Sequence, residues 1–289
     1  MSSEIADVLE AIETLSERGE KMALATVVGV RGSTYRRPGA RLLVRGDGEL
    51  IGNISGGCID GDVQELAKEV MGGGKARLVD FDLTADDKAV WGWGLGCNGA
   101  MELFVEPAEK AFEVAHDLRR ALEEEREVSV VTVIESSVEG VERGARLLVH
   151  PDGRREKTLG TPEADDVAAA AAREALARGL SIKQDLEVGP DGQFGAITAF
   201  VEVLEPSPRL LVCGAGHDAI PLVRFAAALG WRPVVIDDRD RFLTRERFPE
   251  ADAFIPLTRP VEAAERAGVD HRTFVIVMSH NYLRDKDYI

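Results

Sequence analysis

The sequence predicts an α/β protein with a duplicated α/β amino-terminal domain followed by a Rossmann-like parallel-sheet domain. The first observation is a repeated hexapeptide, because GARLLV occurs at 39–44 and again at 144–149. The second is a pattern that begins at Arg209 and consists of a strand, a glycine-rich turn, a helix and a second strand that ends in an acidic residue. Pro206–Pro208 indicates a stiff linker between the two domains. The expected domains are therefore residues 1–206 and 207–289.

The composition indicates a globular cytoplasmic protein without a nucleic-acid or membrane partner. The chain has 289 residues, of which 45% are hydrophobic and 30% charged, and its formal net charge is −16. So acidic a protein is repelled by nucleic acid and by anionic membrane surfaces. Its three cysteines fit a reducing compartment better than a disulfide scaffold. No apolar run approaches the ~18 residues that a membrane span needs.

Hydrophobic periodicity predicts the elements of the first half. Apolar residues at helical spacing from Ile5 to Leu15 favour a helix that Gly19 ends. The apolar run Met22–Val30 favours a buried strand, and the turn Gly46–Gly48 favours a hairpin. Further along, the same reasoning predicts strands over 42–44, 49–51, 76–83 and 101–105, and a helix over 59–71.

A second copy of this unit follows, and the two copies differ in an informative way. We interpret Met22–Ala108 and Val128–Pro206 as the copies, joined by a helix over 109–126. The first has I-S-G-G-C-I-D and W-G-W-G-L-G-C-N-G where the second has T-P-E-A-D and P-D-G-Q-F-G. A scaffold accepts either sequence, so the extra glycines and both cysteines predict a site in the first copy. Besides GARLLV, the matched segments are Asp47–Gly48 with Asp152–Gly153, Asp62–Val63 with Asp166–Val167, and Val105–Pro107 with Leu204–Pro206.

The turn that precedes the helix of the first copy is the central candidate. Gly56 and Gly57 allow the backbone close to a ligand, and the helix start beyond them favours anions and lowers the pKa of a nearby thiol. We therefore predict a cradle of Ser55, Gly56 and Gly57 with Cys58 as a thiolate. The alternative is a cysteine buried at a tight turn, and the residues alone leave both open.

An arginine-rich loop comes before this turn. The eleven-residue stretch RGSTYRRPGAR contains four arginines, among them Arg36 and Arg37, although the protein as a whole is strongly acidic. Guanidinium groups match phosphate oxygens, so Arg36 and Arg37 are candidate ligands of a phosphate or another multiply charged anion. The alternative is a solvated loop whose arginines form surface ion pairs.

A second glycine-rich segment, Trp91–Gly99, repeats the setting of the first cysteine. Glycine at every second position is poor for a strand and suits a loop that passes close to another group. We therefore predict that Gly96, Cys97 and Asn98 join the site, and that Cys97 and Cys58 converge on one glycine-lined hollow. The alternative is a turn that packs aromatic side chains.

The carboxyl-terminal third carries a dinucleotide-type fingerprint. Strand Arg209–Cys213 leads into G-x-G-x-x-A, and a helix and a strand ending at Asp237 follow. Gly214 would form the turn, Gly216 would let the backbone meet a pyrophosphate, and Asp237 would hold a ribose diol, which favours NAD over NADP. The further predicted elements are the helix 219–229, the strands 231–236, 253–256 and 273–279, and the helix 261–267.

Two histidines lie at the predicted ligand edge of this sheet. His217 occupies a variable position of the fingerprint, and His280 follows the last strand, whose carboxyl end shares that edge. A loop histidine with a nearby hydrogen bond explains His217 as well as a functional role does. Because only one mononucleotide half and part of another are present, we expect either a shortened domain or strands supplied by a partner, which makes a homodimer the expected assembly.

Four segments occur here in the order that is typical of one known family. They are GSTYRRPGARLLV, SGGCIDGDV, GWGLGCNGAMELFVEP and CGAGHDAIPLVRFAAALGWRPVVIDDR. With them the chain resembles, from about Leu24 onward, the xanthine dehydrogenase accessory family of the XdhC/CoxI type. The resemblance implies a cytoplasmic protein that binds molybdenum cofactor and supports its sulfuration with a cysteine desulfurase. It also implies delivery of that cofactor to a molybdenum hydroxylase such as xanthine dehydrogenase.

The same resemblance assigns roles to individual residues. It implies Cys58 and Cys97 as the family's thiols, and we take both as candidate molybdenum contacts and, with His280, as the candidate catalytic residues. It matches Gly214, Gly216 and His217 to the family's glycine turn, Asp237 to its acidic strand end and His280 to its Ser/Thr-His motif. In the family members that this chain resembles, the sequence continues well past the histidine that matches His280.

Two other functions stay open from the sequence. An NAD-dependent oxidoreductase would use the Rossmann-like domain, with His280 as the proton donor. A nucleotide extension of the molybdenum cofactor would compete for that same place. A zinc or thiol-redox site would combine Cys58, Cys97, His217 and His280, although no C-x-x-C spacing supports it.

Overall fold

The chain folds into two compact units. The structure, a computed structural model, describes residues 4–82, 98–123 and 126–289. The first unit comprises residues 4–206 and the second residues 207–289. Within the described residues, no helix is long and apolar enough to cross a bilayer.

The first unit contains two repeats with the same order of elements and the same sheet topology. Among the described residues each repeat forms a five-stranded antiparallel sheet, with the orders β3-β2-β1-β5-β4 and β8-β7-β6-β10-β9. This confirms the predicted duplication. The elements of the first repeat are α1 Glu4–Glu17, β1 Met22–Ser33, β2 Arg41–Arg45, β3 Leu50–Gly52, α2 Asp60–Gly73, β4 Arg77–Asp82 and β5 Asn98–Pro107. Those of the second are α3 Ala108–Glu123, β6 Val128–Ser136, β7 Arg146–Val149, β8 Arg155–Thr158, α4 Pro162–Arg178, β9 Ile182–Val188 and β10 Gly195–Leu204.

The repeats align without insertion from the GARLLV segment to the end of the following helix. Arg41 and Arg146 begin equivalent strands, and Gly74 and Gly179 end equivalent helices in the left-handed conformation, so both pairs are 105 positions apart. This register corrects two of the predicted correspondences. Val63 aligns with Ala168, one residue beyond Val167. The strand pairing aligns Glu106 with Glu202, three residues before Glu205, because Glu106 lies opposite Leu24 and Glu202 lies opposite Val130.

Each sheet has one face on its own helix and one face toward the other repeat. Helix α2 packs on the first sheet and α4 on the second through alternating buried residues of the strands. The opposite faces meet at Val28, Phe104, Ile134 and Phe200, which are equivalent residues from the two repeats. Helices α1 and α3 pack beside this seam with residues of both sheets, so one continuous core joins the repeats.

Two buried ion pairs cross the seam in opposite directions. Arg41 of the first repeat donates to both carboxylate oxygens of Glu202 of the second, at 2.9 and 2.6 Å. Arg146 of the second repeat donates to both oxygens of Glu106 of the first, at 2.5 and 2.6 Å. The enclosed space between the pairs is only about 10 Å³, which is roughly the room for one water. The seam is therefore a structural joint and leaves no space for an organic ligand.

The second unit is a four-stranded parallel sheet of Rossmann type. Its order is β13-β12-β11-β14 with parallel pairing throughout, as the sequence predicts. Strand β12 extends one residue further than predicted and includes Asp237. A final helix, which the sequence analysis did not predict, follows the last strand. The elements are β11 Arg209–Cys213, α5 Ala219–Ala228, β12 Arg232–Asp237, β13 Ala253–Pro256, α6 Ala263–Ala267, β14 Thr273–Val277 and α7 Tyr282–Tyr288.

Candidate functional site

The turn before α2 is opened relative to its counterpart in the second repeat. Helix α4 begins at Pro162, which aligns with Gly57, whereas α2 begins only at Asp60. The missing first turn has a local cause, because Gly57 has a φ of +98°, a left-handed conformation that an α-helix does not contain. Cys58 therefore lies in a bent connection where the second repeat has helical Glu163.

The two helix starts also differ in how their backbone N–H groups are satisfied. In the second repeat, Thr161 caps α4 by accepting a hydrogen bond from the Ala164 N–H at 3.2 Å, and proline at N1 removes another donor. In the first repeat, the residue before α2 is Ile59, which offers no side-chain acceptor. The first-turn N–H groups of α2 therefore remain available to an acceptor from outside. Since Asp60 and Asp62 lie in this turn, directional N–H donors and not net charge would hold such a ligand.

Ser55 fixes the shape of the opened turn. Its buried hydroxyl donates to Asp60 Oδ1 at 2.8 Å and accepts from the Gly57 N–H at 3.0 Å. Gly56 and Gly57 are exposed, and Cys58 is half-buried with one side against the core below α2. The turn thus presents two bare backbone positions and one accessible thiol, while Ser55 acts from beneath.

The arginine-rich loop lies beside this turn. A Cβ built on Gly56 would lie 4.0 Å from Tyr35 Cδ2, and the Tyr35 side chain is 60% exposed. Counted back along the chain from the GARLLV segments, Tyr35, Arg36 and Arg37 correspond to Gly140, Val141 and Glu142 of the second repeat, whose connection from the preceding strand is one residue shorter. An aromatic ring and two cations therefore accompany the opened turn and have no counterpart in the other repeat. Aligning the sequence at the GARLLV offset would have singled out Tyr35, which the motifs alone did not.

The four arginines of the loop region have separate surroundings. Arg41 is buried in the seam, Arg31 pairs with Asp80 at 2.6 Å, and Arg36 pairs with Glu4 at 2.8 Å. The Asp80 carboxylate raises the pKa of Arg31 through a hydrogen bond. Arg37 is exposed and is the member of the predicted anion clamp best placed to meet a ligand. Gly96 and Cys97 lie outside the described residues, as does the side chain of Asn98, so the predicted convergence of the two thiols stays a prediction.

In the second unit, the glycine turn has the geometry that its fingerprint predicts. Gly214 has a φ of +131°, and a Cβ there would come within 2.5 Å of the Met278 carbonyl oxygen, so only glycine fits against the end of β14. A Cβ on Gly216 would clash with Asp218 Oδ1 and lie 3.8 Å from His280 Cδ2. The turn therefore meets His280 at the carboxyl edge of the sheet, as the strand order requires.

His280 forms a pair with a residue that the sequence did not single out. Its Nε2 lies 2.7 Å from Asp218 Oδ2. Burial raises the pKa of the Asp218 carboxyl group, but the hydrogen bond from His280 and the backbone N–H groups of Asp218 and Ala219 together outweigh burial and lower it. His280 also has a left-handed backbone, with a φ of +57°, which is uncommon outside glycine and asparagine. His217 is exposed on the same turn.

Asp237 is fully engaged within the protein. It is 3% exposed, and its oxygens accept from the Ala215 N–H at 2.7 Å and from the Arg239 N–H, Nε and Nη2 at 2.8 Å each. Burial raises the pKa of this carboxyl group, but these donors outweigh burial and hold the pKa well below its usual range. Four donors saturate a carboxylate. The geometry therefore counts against the predicted role of Asp237 as a receptor for a free ribose diol.

The ion pair of Asp237 predicts a specific pH dependence. Asp237→Asn should lower the free energy of unfolding by about 2 kcal/mol near neutral pH, a figure discounted for the exposure of Arg239. Because the folded pKa lies below the unfolded one, this stabilisation is complete above about pH 5 and is lost as the pH falls. Urea unfolding at about pH 7 and about pH 3 should show the deficit shrinking in acid. Asp252→Asn, on the surface beside Arg232, is the control, and an equal deficit at both pH values would contradict the assignment.

Cys213 differs chemically from Cys58. It is 1% exposed at the end of β11, and burial raises the pKa of its thiol to about 12. A thiol so rarely ionised is a poor nucleophile and a poor metal ligand. Within the described ranges, no group of three or more His, Cys, Asp or Glu side chains is arranged to hold a metal ion.

Comparison with known proteins gives a consistent result across the chain. The profile of the XdhC and CoxI family matches residues 15–82 and 121–186, and the XdhC Rossmann domain matches residues 210–289. The chain is 29% identical over 279 residues to a Bacillus subtilis protein named a probable xanthine dehydrogenase subunit, covering 96% of this chain and 78% of the relative. A shorter match, 38% over 71 residues, is to the molybdenum cofactor insertion chaperone PaoD of Escherichia coli, covering 25% of this chain and 22% of PaoD.

A solved structure supports the same assignment. The fold superimposes on a crystal structure of a protein described as a xanthine dehydrogenase from Bacillus halodurans with a TM-score of 0.71 and 25% identity. The match covers 100% of this chain and 77% of that one. Both halves of the duplicated unit and the Rossmann unit are thus accounted for, and the chain belongs to the XdhC/CoxI family of xanthine dehydrogenase accessory proteins.

Proposed function

We propose that this protein binds molybdenum cofactor at the opened turn of the first repeat and delivers it to a molybdenum hydroxylase such as xanthine dehydrogenase. The cofactor is cargo in this role, so the protein acts as a carrier and not as an enzyme with turnover. The family membership supports an accessory role, and the similarity to a named insertion chaperone supports molybdenum cofactor as the cargo.

One observation supports the turn before α2 as the binding site. Two repeats with the same topology differ, at aligned positions, in the turn before the helix and in the loop beside it. The second repeat has a capped helix start and a loop of aliphatic and acidic residues over 138–142. The first has an uncapped start, a half-buried thiol, an exposed aromatic ring and Arg37. Since both forms accompany the same sheet topology, the first repeat's residues are best explained by a ligand.

The residues of the turn suit the chemistry of that cargo. Molybdenum cofactor presents a soft metal–sulfur end and a phosphate end. The Cys58 thiolate would face the metal–sulfur end, because thiolates prefer soft metals. The uncapped N–H groups of α2 and the guanidinium of Arg37 would hold the phosphate, and the ring of Tyr35 would stack on the pterin. Cys97 and His280 remain the other proposed participants.

Support for sulfuration is a second part of the proposal. A cysteine desulfurase carries its sulfane sulfur as a persulfide, and the Cys58 thiolate can attack that sulfur and release the desulfurase thiolate. The sulfur is then available beside the bound cofactor. We place these steps in the cytoplasm, where thiols stay reduced, and expect a homodimer.

The test is transfer to an apo-enzyme. Protein loaded with molybdenum cofactor is mixed with apo xanthine dehydrogenase, and xanthine oxidation is followed against an equal concentration of free cofactor. We expect the loaded protein to restore activity at least about tenfold faster than free cofactor, because a bound cofactor is presented in one orientation. Equal rates with and without the protein would overturn the proposal. Glu163→Ala, which changes the aligned position in the second repeat, is the matched control and should transfer normally.

A further inference from the structure

An arginine cluster lies at the ligand edge of the Rossmann unit, directly after β12. The guanidinium carbons of Arg239, Arg241 and Arg247 lie 4.5, 5.1 and 4.8 Å from the centre of the Phe242 ring. Three cations around one ring in a protein of net charge −16 require an explanation. Contact of this kind with a ring is favourable, but the ring supplies no neutralising charge.

The two acids at the end of β12 are already committed, whereas Asp240, between Arg239 and Arg241, is exposed and has no ion pair among the described residues. Asp237 is saturated by the Ala215 N–H and by Arg239, and Asp238 forms an ion pair with Arg284 of α7. Arg241 is exposed and has no ion-pair partner among the residues that the structure describes. The end of β12, where a Rossmann fold meets a ribose diol, therefore lacks a free carboxylate, because Asp237 is saturated, and the cluster beside it has an unpaired guanidinium in Arg241.

Arg247 joins this cluster to the glycine turn. Its Nη2 donates to the carbonyl oxygen of Ala215, between the two glycines, at 2.9 Å. Its Nε is buried and has no hydrogen-bond partner within the described part of the chain. The cationic cluster and the turn that would approach a 5′-phosphate are thus parts of one surface.

We propose that this edge selects a nucleotide whose ribose carries a phosphate on its 2′-hydroxyl, and not one with a free 2′,3′-diol. A diol needs an acceptor carboxylate, which Asp237 no longer provides. A ribose phosphate is a dianion that the unpaired Arg241 can hold by charge-assisted hydrogen bonds, with the remaining Nη1 of Arg239 beside it. The inference goes beyond the carrier role and does not depend on it, because a carrier that failed this test would still deliver its cargo.

The test compares two nucleotides of the same base and the same number of phosphates. Adenosine 2′,5′-bisphosphate and adenosine 5′-diphosphate are titrated calorimetrically into the full chain at low ionic strength, with inorganic phosphate as a third ligand. We expect the 2′,5′-bisphosphate to bind about 10- to 100-fold more tightly than the 5′-diphosphate, and inorganic phosphate more weakly than either. Equal affinities, tighter binding of the 5′-diphosphate, or no binding of either nucleotide would overturn the proposal.

Two variants and a matched control make the assignment specific. Arg241→Ala should reduce the preference to about twofold or less, because it removes the unpaired guanidinium. Arg239→Gln should raise affinity for the 5′-diphosphate relative to the bisphosphate, because it releases Asp237. Arg224→Ala, on the exposed side of α5 and paired with Glu250, should leave the preference unchanged. Retention of the full preference in Arg241→Ala, with the fold intact by circular dichroism, would contradict the inference.

Discussion

Replacing Glu202 by leucine is expected to lower the free energy of unfolding of the first unit by about 3–5 kcal/mol, the usual cost of leaving a buried charge unpaired. Arg41 and Glu202 have side chains only 4% and 7% exposed, and their contact is bidentate. Without the carboxylate, the side chain of Arg41 keeps, among the described residues, its hydrogen bond to the Gly39 carbonyl oxygen. Urea unfolding of the full chain measures this loss as a lower midpoint.

Two further variants separate the charge effect from simple loss of packing. The double variant Arg41→Met/Glu202→Leu removes both charges and should recover to within about 1–2 kcal/mol of the parent, since an apolar pair often replaces a buried ion pair well. Glu106→Leu, which strips the equivalent partner from Arg146, should match Glu202→Leu. A loss below about 1 kcal/mol for both single variants would show that the seam does not depend on its crossed pairs.

Cys58→Ser is expected to reduce transfer of the cofactor to apo xanthine dehydrogenase by more than about tenfold, while the unfolding free energy changes by less than about 1 kcal/mol. Serine keeps the size and the turn geometry but ionises too weakly to serve as a soft ligand. The assay is the same restoration of xanthine oxidation. Because Cys58 is half-buried at an exposed turn, the fold should tolerate the change.

The control for this prediction is the other described thiol of the chain. Cys213→Ala removes a buried thiol whose pKa is raised to about 12 and should leave transfer unchanged. If Cys58→Ser transferred normally while Cys213→Ala did not, the assignment of the reactive thiol would be wrong. Equal loss in both would indicate a general effect on folding.

The duplicated unit was predictable from its sequence because its signals are local. Two copies of GARLLV, a glycine–aspartate hairpin and alternating apolar strands reveal each repeat within about forty residues. The glycine fingerprint and the apolar runs around it likewise predicted the parallel sheet with strand β13 at its observed bounds.

The contacts that join distant segments were not predictable in the same way. Arg41 and Glu202 are 161 positions apart, and the sequence pattern indicated only a loop cation at Arg41. His280 and Asp218 are 62 positions apart, and only the order of strands brings them together. The turn before α2 was predicted to within one residue, but that α2 starts three positions later than its counterpart α4 was not, because a glycine before a helix does not reveal where the other repeat's helix begins. Register against the second repeat supplies that information.

The central claim is that the opened turn of the first repeat is a cofactor site, and the second repeat provides its most direct test. Ser55–Cys58 would be replaced by the aligned G-T-P-E of the second repeat, together with Tyr35→Gly, so that α2 acquires the capped start of α4. The added cap and proline should raise the free energy of unfolding by about 1 kcal/mol or leave it unchanged. Molybdenum content after incubation with molybdenum cofactor and gel filtration is then measured in parent and variant. The account predicts about one molybdenum per parent chain and less than about a tenth of that in the folded variant. A folded variant that retains the parent's molybdenum content would contradict it.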